Sequence, residues 1–289
     1  MIVKLQPSDF KSHVKPTWCP GCGDYGVNRA LQIALAELEI EPHNVAIISG
    51  IGCSSNLPHF NKTYGFHSIH GRALAIATGV HLANPEIVTI AAGGDGDGYG
   101  IGGNHFVHAC RRNLDLTYIV MNNSIYGLTT GQASPTTPKG LTTKSTPKGY
   151  EIHEDPVNPI SLAIVSGATF VARGFSGEGK HLANIIKQAI QHKGFAHIDV
   201  LSPCVTFQKN ITYDYYKERI YKLKEVNHDP TNFEEALKRA FETDKVPIGV
   251  FYKKEKPTYS DYEPALRKGP LYRQPHGLKN KNKILKEFF

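Results

Sequence analysis

Two apolar runs that each end in oxygen-bearing side chains constrain this chain more than any other feature. Ile87 to Ala92 is a hydrophobic run of strand length that stops at Gly93-Gly94-Asp95-Gly96-Asp97-Gly98, and Leu116 to Met121 is a second that stops at Asn122-Asn123. Uninterrupted runs of this kind suit strands buried on both faces, as in a parallel sheet covered by helices. The stretch between them, Gly103 to Arg112, reads as the crossover helix. Asp95 and Asn123 then stand at the carboxyl ends of neighbouring parallel strands, the edge at which open α/β sheets bind ligands. Mg²⁺ takes one or two protein side chains and leaves its other positions to phosphates, water and backbone carbonyls, so a carboxylate and an amide oxygen suit it. Glycines beside Asp95, Gly94 and Gly96 among them, would let backbone N–H groups approach a diphosphate. The pattern reads as a magnesium diphosphate clamp.

A rival reading applies at the same place. Gly98-Tyr-Gly100-Ile-Gly-Gly103 satisfies the dinucleotide-binding pattern G-x-G-x-x-G. That fingerprint needs an acid closing the next strand to hold the ribose, and here the strand closes on asparagines, with Asp115 before it. A purely structural glycine-rich turn is the bland alternative.

The alternation continues along the chain. Strand candidates at Val45 to Ser49, Ile87 to Ala92, Leu116 to Met121, Thr169 to Arg173 and His197 to Leu201 alternate with helical stretches. Those are Gly26 to Glu39, Arg72 to Ala83, Gly103 to Arg112, Pro159 to Gly167 and Gly179 to His192. The expected class is α/β: a doubly wound, mostly parallel sheet with helices on both faces over residues 1–213. Residues 214–289 are more polar and read as a C-terminal helix, Thr231 to Thr243, and an extended tail from Lys253 that packs on the body or on a partner. Between Gly127 and Pro159 the chain is rich in Thr, Pro, Gly and Lys; Thr129 to Thr137 reads as a segment over the active site.

Five cysteines occur, four of them in loops beside Gly or Pro: Cys19 and Cys22 in Trp18-Cys-Pro-Gly-Cys-Gly23, Cys53 in Gly50-Ile-Gly-Cys-Ser-Ser55, and Cys204 after Ser202-Pro203. Such loops let several thiolates converge on one metal centre. On the residues alone an Fe–S cluster and structural Zn²⁺ both remain open, as does the reading of small apolar core residues. The first residues contain no apolar leader and no run approaches a membrane span, so a cytoplasmic chain with reduced thiols is expected rather than a disulfide framework. Cys110, inside a helix, reads as core.

Together these segments resemble the β subunit of 2-oxoacid:ferredoxin oxidoreductases. The resemblance rests on Trp-Cys-Pro-Gly-Cys-Gly, Gly-Ile-Gly-Cys-Ser-Ser, His70-Gly71-Arg72, Gly-Asp-Gly-Asp, and Asn-Asn-x-Ile125-Tyr126-Gly127-Leu128-Thr129-x-Gly-Gln132-x-Ser134-Pro-Thr136-Thr137, and it covers about residues 15–210. It implies thiamine diphosphate, with Mg²⁺ held by Asp95, Asn123 and the backbone carbonyl of Ile125. It also implies a [4Fe–4S] cluster on Cys19, Cys22, Cys53 and Cys204, and places Ile51, Gly52, Cys53, Ser54, His70, Gly96, Asp97, Gly127 and Leu128 around the organic cofactor. The activity implied is oxidative decarboxylation of a 2-oxoacid with coenzyme A, giving acyl-CoA, CO₂ and reduced ferredoxin, with 2-oxoglutarate favoured over pyruvate. His70 is expected to bond the diphosphate or a substrate oxygen, Arg72 either to bind an anionic oxygen or to pair with a surface acid, and Asn56 and Leu128 to line the substrate. The glutamate that activates the cofactor ring and the coenzyme A contacts are expected on a partner α, or fused γα, subunit. No ferredoxin-type C-x₂-C-x₂-C-x₃-C-P run occurs, so one cluster is expected in this chain.

The 289 residues carry a formal charge of +7. A basic face suits an acidic electron carrier such as ferredoxin. No nucleic-acid recognition motif accompanies it. The run Lys279 to Lys286 reads as a solvated tail.

Overall fold

The computed structural model describes residues 4–275, 282 and 285–287. Most of the Lys279 to Lys286 run lies outside the described residues. In chain order the strands are β1 Val45–Ser49, β2 Tyr64–His67, β3 Val88–Gly94, β4 Leu116–Asn122, β5 Phe170–Phe175, β6 Phe195–Leu201, β7 Ile220–Lys222 and β8 Val246–Lys253. The principal helices are α1 Asp24–Glu37, α2 Ala73–Ala83, α3 Gly103–Arg112, α4 Pro159–Val165, α5 Gly179–Gln191, α6 Tyr213–Lys217, α7 Phe233–Ala240 and α8 Tyr259–Tyr262. They build an eight-stranded sheet in the order β2-β1-β3-β4-β6-β5-β8-β7. The pairs from β2 through to β5 are parallel, and β8 runs antiparallel to β5.

Every residue of β1, β4 and β6 is buried, as the apolar runs require. Successive side chains serve opposite faces. Ile47, Ile90 and Ile119 pack with α1 and α5, while Ile48, Ala91 and Val120 pack with α2, α3, α4 and α7. Cys110 of α3 is fully buried in the second layer, with its thiol pushed up by burial.

Residues after 213 do more than wrap the body, because β7 and β8 extend the same sheet. Pro247 and Gly249 (φ +132°) interrupt the apolar pattern of β8, and its register with β5 shifts between Val171 and Ala172. The bulge takes up that irregularity where β8, lying between β5 and the short edge strand β7, pairs antiparallel to β5. β2 is mostly exposed and has no apolar signature. None of the described helices is long and apolar enough to cross a membrane.

The chain leaves β1 towards β2 on one side and returns as β3 on the other, so the topological switch falls between β1 and β3. Their carboxyl ends lead directly into Gly50-Ile51-Gly52-Cys53 and Asp95-Gly96-Asp97. This is where a doubly wound sheet opens a crevice for a ligand.

Six histidines, His67, His81, His105, His181, His192 and His197, are lowered chiefly by burial, against two buried aspartates, Asp24 and Asp95, that are raised by it. His197 falls to about 3 and His192 to about 4, while Asp24 rises to about 6. Below the ordinary histidine value the unfolded chain takes up protons that the folded one refuses. The histidine contribution is therefore intact above about pH 6.5 and lost as pH falls towards the folded values. Asp24 acts oppositely, favouring the folded state below about pH 3.8 and losing that advantage as pH rises through 6. The histidines prevail, and we expect the urea midpoint to fall between pH 6.5 and 4 by an equivalent of roughly 2–4 kcal/mol. A midpoint that rises over that interval contradicts this balance.

Candidate active site

One cleft at the switch point is lined by Ile51, Gly52, Cys53, Ser54, His70, Gly94, Asp95, Gly96, Asp97, Asn123, Ile125, Gly127 and Leu128, together with Tyr126 and Thr129. All the residues expected around a diphosphate cofactor and its cation therefore meet in one place, brought there by four separate loops. Arg72 does not line it. Its guanidinium lies against the His105 imidazole, between the start of α2 and α3. Asn56 turns its amide to the Cys53 carbonyl (3.3 Å) and is likewise absent from the lining.

Asp95 is buried and receives two hydroxyl donors on one oxygen: Ser134 Oγ at 2.5 Å and Thr136 Oγ1 at 2.6 Å from Oδ2. The Asn123 N–H points to Oδ1 from 3.5 Å. Burial pushes the Asp95 carboxyl up despite these donors, and no described cationic side chain pairs with it. A buried carboxylate without a counter-charge suits a bound cation, which would supply the missing positive charge. Of the two asparagines, Asn122 is engaged within the protein, donating to Asp199 Oδ1 (3.0 Å) and accepting the Ser124 N–H (3.2 Å). Asn123 faces the cleft, with its oxygen accepting the Ile125 N–H at 3.0 Å. The donor set fits Mg²⁺: two side-chain oxygens and a nearby backbone carbonyl.

Asp97 has a different task. Its buried Oδ1 accepts the Ile51 N–H (2.9 Å), the Gly71 N–H (2.8 Å) and His70 Nδ1–H (2.8 Å), so one carboxylate ties the loop after β1 to the turn before α2. The carboxylate fixes the His70 tautomer and leaves Nε2 as the acceptor or proton carrier. Gly50 is needed for this: a Cβ there would lie 2.0 Å from Asp97 Oδ2. Gly96 is likewise required by a protein neighbour, since a Cβ would lie 2.2 Å from the Tyr126 ring, whose hydroxyl donates to the Gly96 carbonyl at 3.1 Å. The glycines at these two positions make room for side chains of the chain itself, a reason that the sequence pattern does not reveal. Gly52, with φ +128°, is the glycine whose backbone conformation demands it.

The cysteine loops converge beside the cleft. A Cβ at Gly127 would sit 3.6 Å from Cys204 Sγ and 3.8 Å from Cys53 Sγ, so these sulfurs flank one point on the backbone. Trp18 donates its indole N–H to the Cys53 carbonyl at 2.6 Å and stacks edge-on against Phe60 (4.7 Å between centroids), pinning the Cys19–Cys22 turn to the β1 loop. Gly23 N–H donates to the Pro203 carbonyl (3.1 Å), joining the same turn to the Cys204 loop. Burial, followed by the charge of Asp24, pushes the Cys53 thiol up to about 11 and raises Cys22 further, with Cys204 and other thiols of the group adding to both shifts. Cys19 is exposed and Cys204 half-buried. Among the described residues no three His, Cys, Asp or Glu side chains stand close enough to hold one metal ion. The sulfur-only donor set and the tight Gly- and Pro-bearing loops suit an Fe–S cluster, whose several irons take ligands from separate loops.

Residues 50–200 match the family model for the thiamine pyrophosphate enzyme C-terminal TPP binding domain, and residues 204–268 match that for the C terminal of the pyruvate ferredoxin oxidoreductase beta subunit. The chain is 48% identical over 277 residues to 2-oxoacid:ferredoxin oxidoreductase 1, subunit beta, of Aeropyrum pernix, covering 92% of this chain and 86% of the relative. It is 40% identical over 257 residues to 2-oxoglutarate synthase subunit KorB of Methanocaldococcus jannaschii, covering 89% and 93%. Among solved structures, the 2-oxoglutarate:ferredoxin oxidoreductase of Magnetococcus marinus, with 2-oxoglutarate, coenzyme A and succinyl-CoA bound, superposes with a TM-score of 0.91. That match has 41% identity and covers 99% of this chain and 96% of that one.

Proposed function

The chain belongs to the family of 2-oxoacid:ferredoxin oxidoreductase β subunits, and from that membership we propose that its cleft holds thiamine diphosphate with Mg²⁺ on Asp95, Asn123 and the Ile125 carbonyl. A [4Fe–4S] cluster on Cys19, Cys22, Cys53 and Cys204 completes the cofactor set. The observation that carries this reading is the position of Cys53. It lines the cleft with Asp95 and Asn123 while its sulfur, like that of Cys204, approaches Gly127. A cluster ligand and the diphosphate clamp thus share one wall.

Thiamine diphosphate supplies a nucleophilic carbon and an electron sink for decarboxylation of a 2-oxoacid. The chain's residues prepare the site for that chemistry. Asp95 and Asn123 offer oxygens to the cation. Asp97 holds the Ile51 and Gly71 N–H groups and orients His70, a residue of the cleft lining whose Nε2 is left to accept or carry a proton. Tyr126 packs edge-on to His70 (6.2 Å) and closes one side against water. Exposed Cys19 puts one sulfur at the surface, where ferredoxin would collect electrons one at a time. The glutamate for the cofactor ring and the coenzyme A site belong to an α partner, so the complex is the active unit, working in the cytoplasm. The bound ligands of the Magnetococcus relative and the KorB relatives support 2-oxoglutarate as the preferred acid, with pyruvate the second reading, favoured by the name of the C-terminal family model.

The test is the anaerobic visible spectrum of the chain purified with its partner. Broad Fe–S absorption should bleach on adding 2-oxoglutarate and coenzyme A in the presence of thiamine diphosphate and Mg²⁺. Bleaching with pyruvate alone would reassign the substrate. A colourless, zinc-containing complex would overturn the redox reading and leave a non-oxidative thiamine enzyme.

A further inference from the structure

We infer that Ser134 and Thr136 are positioning residues for the cation site, directing both of their hydroxyl protons to one oxygen of Asp95 and reserving the other oxygen for the metal. The inference rests on the reading of Asp95 as the Mg²⁺ ligand. A hydroxyl has a single proton to give. Thr136 Oγ1 lies 2.6 Å from Asp95 Oδ2 and 2.9 Å from Asn122 Oδ1. The Asn122 oxygen already accepts the Ser124 N–H, and its amide nitrogen is committed to Asp199, so the asparagine is fixed in its orientation. The shorter contact to the carboxylate therefore takes the threonine proton, in keeping with the greater strength of bonds to charged acceptors.

Ser134 faces a similar choice. Thr137 Oγ1, 3.2 Å away, donates to the Ser124 carbonyl at 2.8 Å and accepts the Ser134 N–H at 2.8 Å, so the Ser134 hydroxyl is left to Asp95 Oδ2 at 2.5 Å. Two donors on Oδ2 and one long contact on Oδ1 make the carboxylate asymmetric. Oδ1 is the oxygen with capacity to spare. Ser134, Thr136 and Asp95 are all buried, so these bonds are made out of competition with water.

The arrangement also gives the loop after β4 a second purpose. The segment that places Gly127 and Leu128 in the cleft returns through the Tyr126–Gln132 bridge to set Ser134 and Thr136 beneath Asp95. Partners of this outer kind typically change metal affinity by about 10–100-fold when removed.

The experiment is Mn²⁺ binding followed by electron paramagnetic resonance, on the complex with its partner and thiamine diphosphate, comparing wild type with Thr136→Val, Thr136→Ser and Ser134→Ala. Val matches Thr in shape and lacks the proton. We expect Thr136→Val to raise the Mn²⁺ Kd about 10–100-fold, Ser134→Ala to raise it in the same direction, and Thr136→Ser to restore wild-type affinity. Should Thr136→Val fail to fold, Ser134→Ala serves the same oxygen and carries the test. Wild-type affinity in both hydroxyl-deleted variants overturns the inference, as does a Thr136→Ser variant as weak as Thr136→Val, which would assign the effect to packing. Absence of Mn²⁺ binding by the wild-type complex would instead remove the cation reading on which the inference stands.

Discussion

Asp95→Asn in the complex should abolish Mg²⁺-dependent retention of thiamine diphosphate and lower kcat/KM by more than the roughly 10–100-fold that follows loss of an outer partner of a metal ligand. The amide keeps the size of the carboxylate and can still accept from Ser134 or Thr136, but it brings no negative charge to the cation. Titration calorimetry with thiamine diphosphate at saturating Mg²⁺ checks the first part, and the rate of ferredoxin reduction the second. The cofactor-free protein should not lose stability. Asp95 is a buried carboxyl raised by burial and lacks a described cationic partner, so replacing it with a neutral group removes an uncompensated charge. A variant that retains the cofactor with unchanged Mg²⁺ dependence would disprove the clamp.

The second large effect is expected at Cys204, which stands outside the cleft lining while its sulfur, like that of Cys53, approaches Gly127. Cys204→Ser should remove the visible Fe–S absorption and bring 2-oxoacid-dependent ferredoxin reduction to background. Binding of thiamine diphosphate and Mg²⁺ should survive, because none of the residues that hold them is changed. Iron analysis and anaerobic spectroscopy test the first statement, and calorimetry the second. If ferredoxin reduction persists in a cluster-free variant, the electron path does not run through these sulfurs. Cluster assembly on the wild-type chain should also release protons. Burial keeps Cys22 and Cys53 protonated at neutral pH, and a coordinating thiol must give up its proton.

Both predictions start from groups that were visible in the chain, because local pattern marks the elements that present them. The apolar runs of β1, β3, β4 and β6 are buried strands, and a strand ending in Asp95 or Asn122-Asn123 presents those groups at the sheet edge. Helices α2, α3, α4 and α5 fall within a few residues of the spans expected from their patterns. β2 escaped because an exposed edge strand has no continuous apolar run, and β8 because Pro247 and Gly249 resemble loop punctuation. The C-terminal segment consequently read as helix and tail, though it adds two strands to the sheet.

Side-chain direction was the other missing quantity. Arg72 follows His70 by two positions, yet the packing of α2 on α3 turns it to His105 while His70 meets Asp97. Ser134 and Thr136 lie 39 and 41 residues from the carboxylate they serve. Gly50 and Gly96 accommodate Asp97 and Tyr126 from distant loops. By itself, then, the sequence determined the α/β class, the switch-point edge and the types of donor available for a diphosphate, a cation and a cluster, since these follow from periodicity and residue chemistry within short windows. Only the tertiary structure decided which donors face one another, because that depends on the register of strands and the closure of loops far apart in the chain.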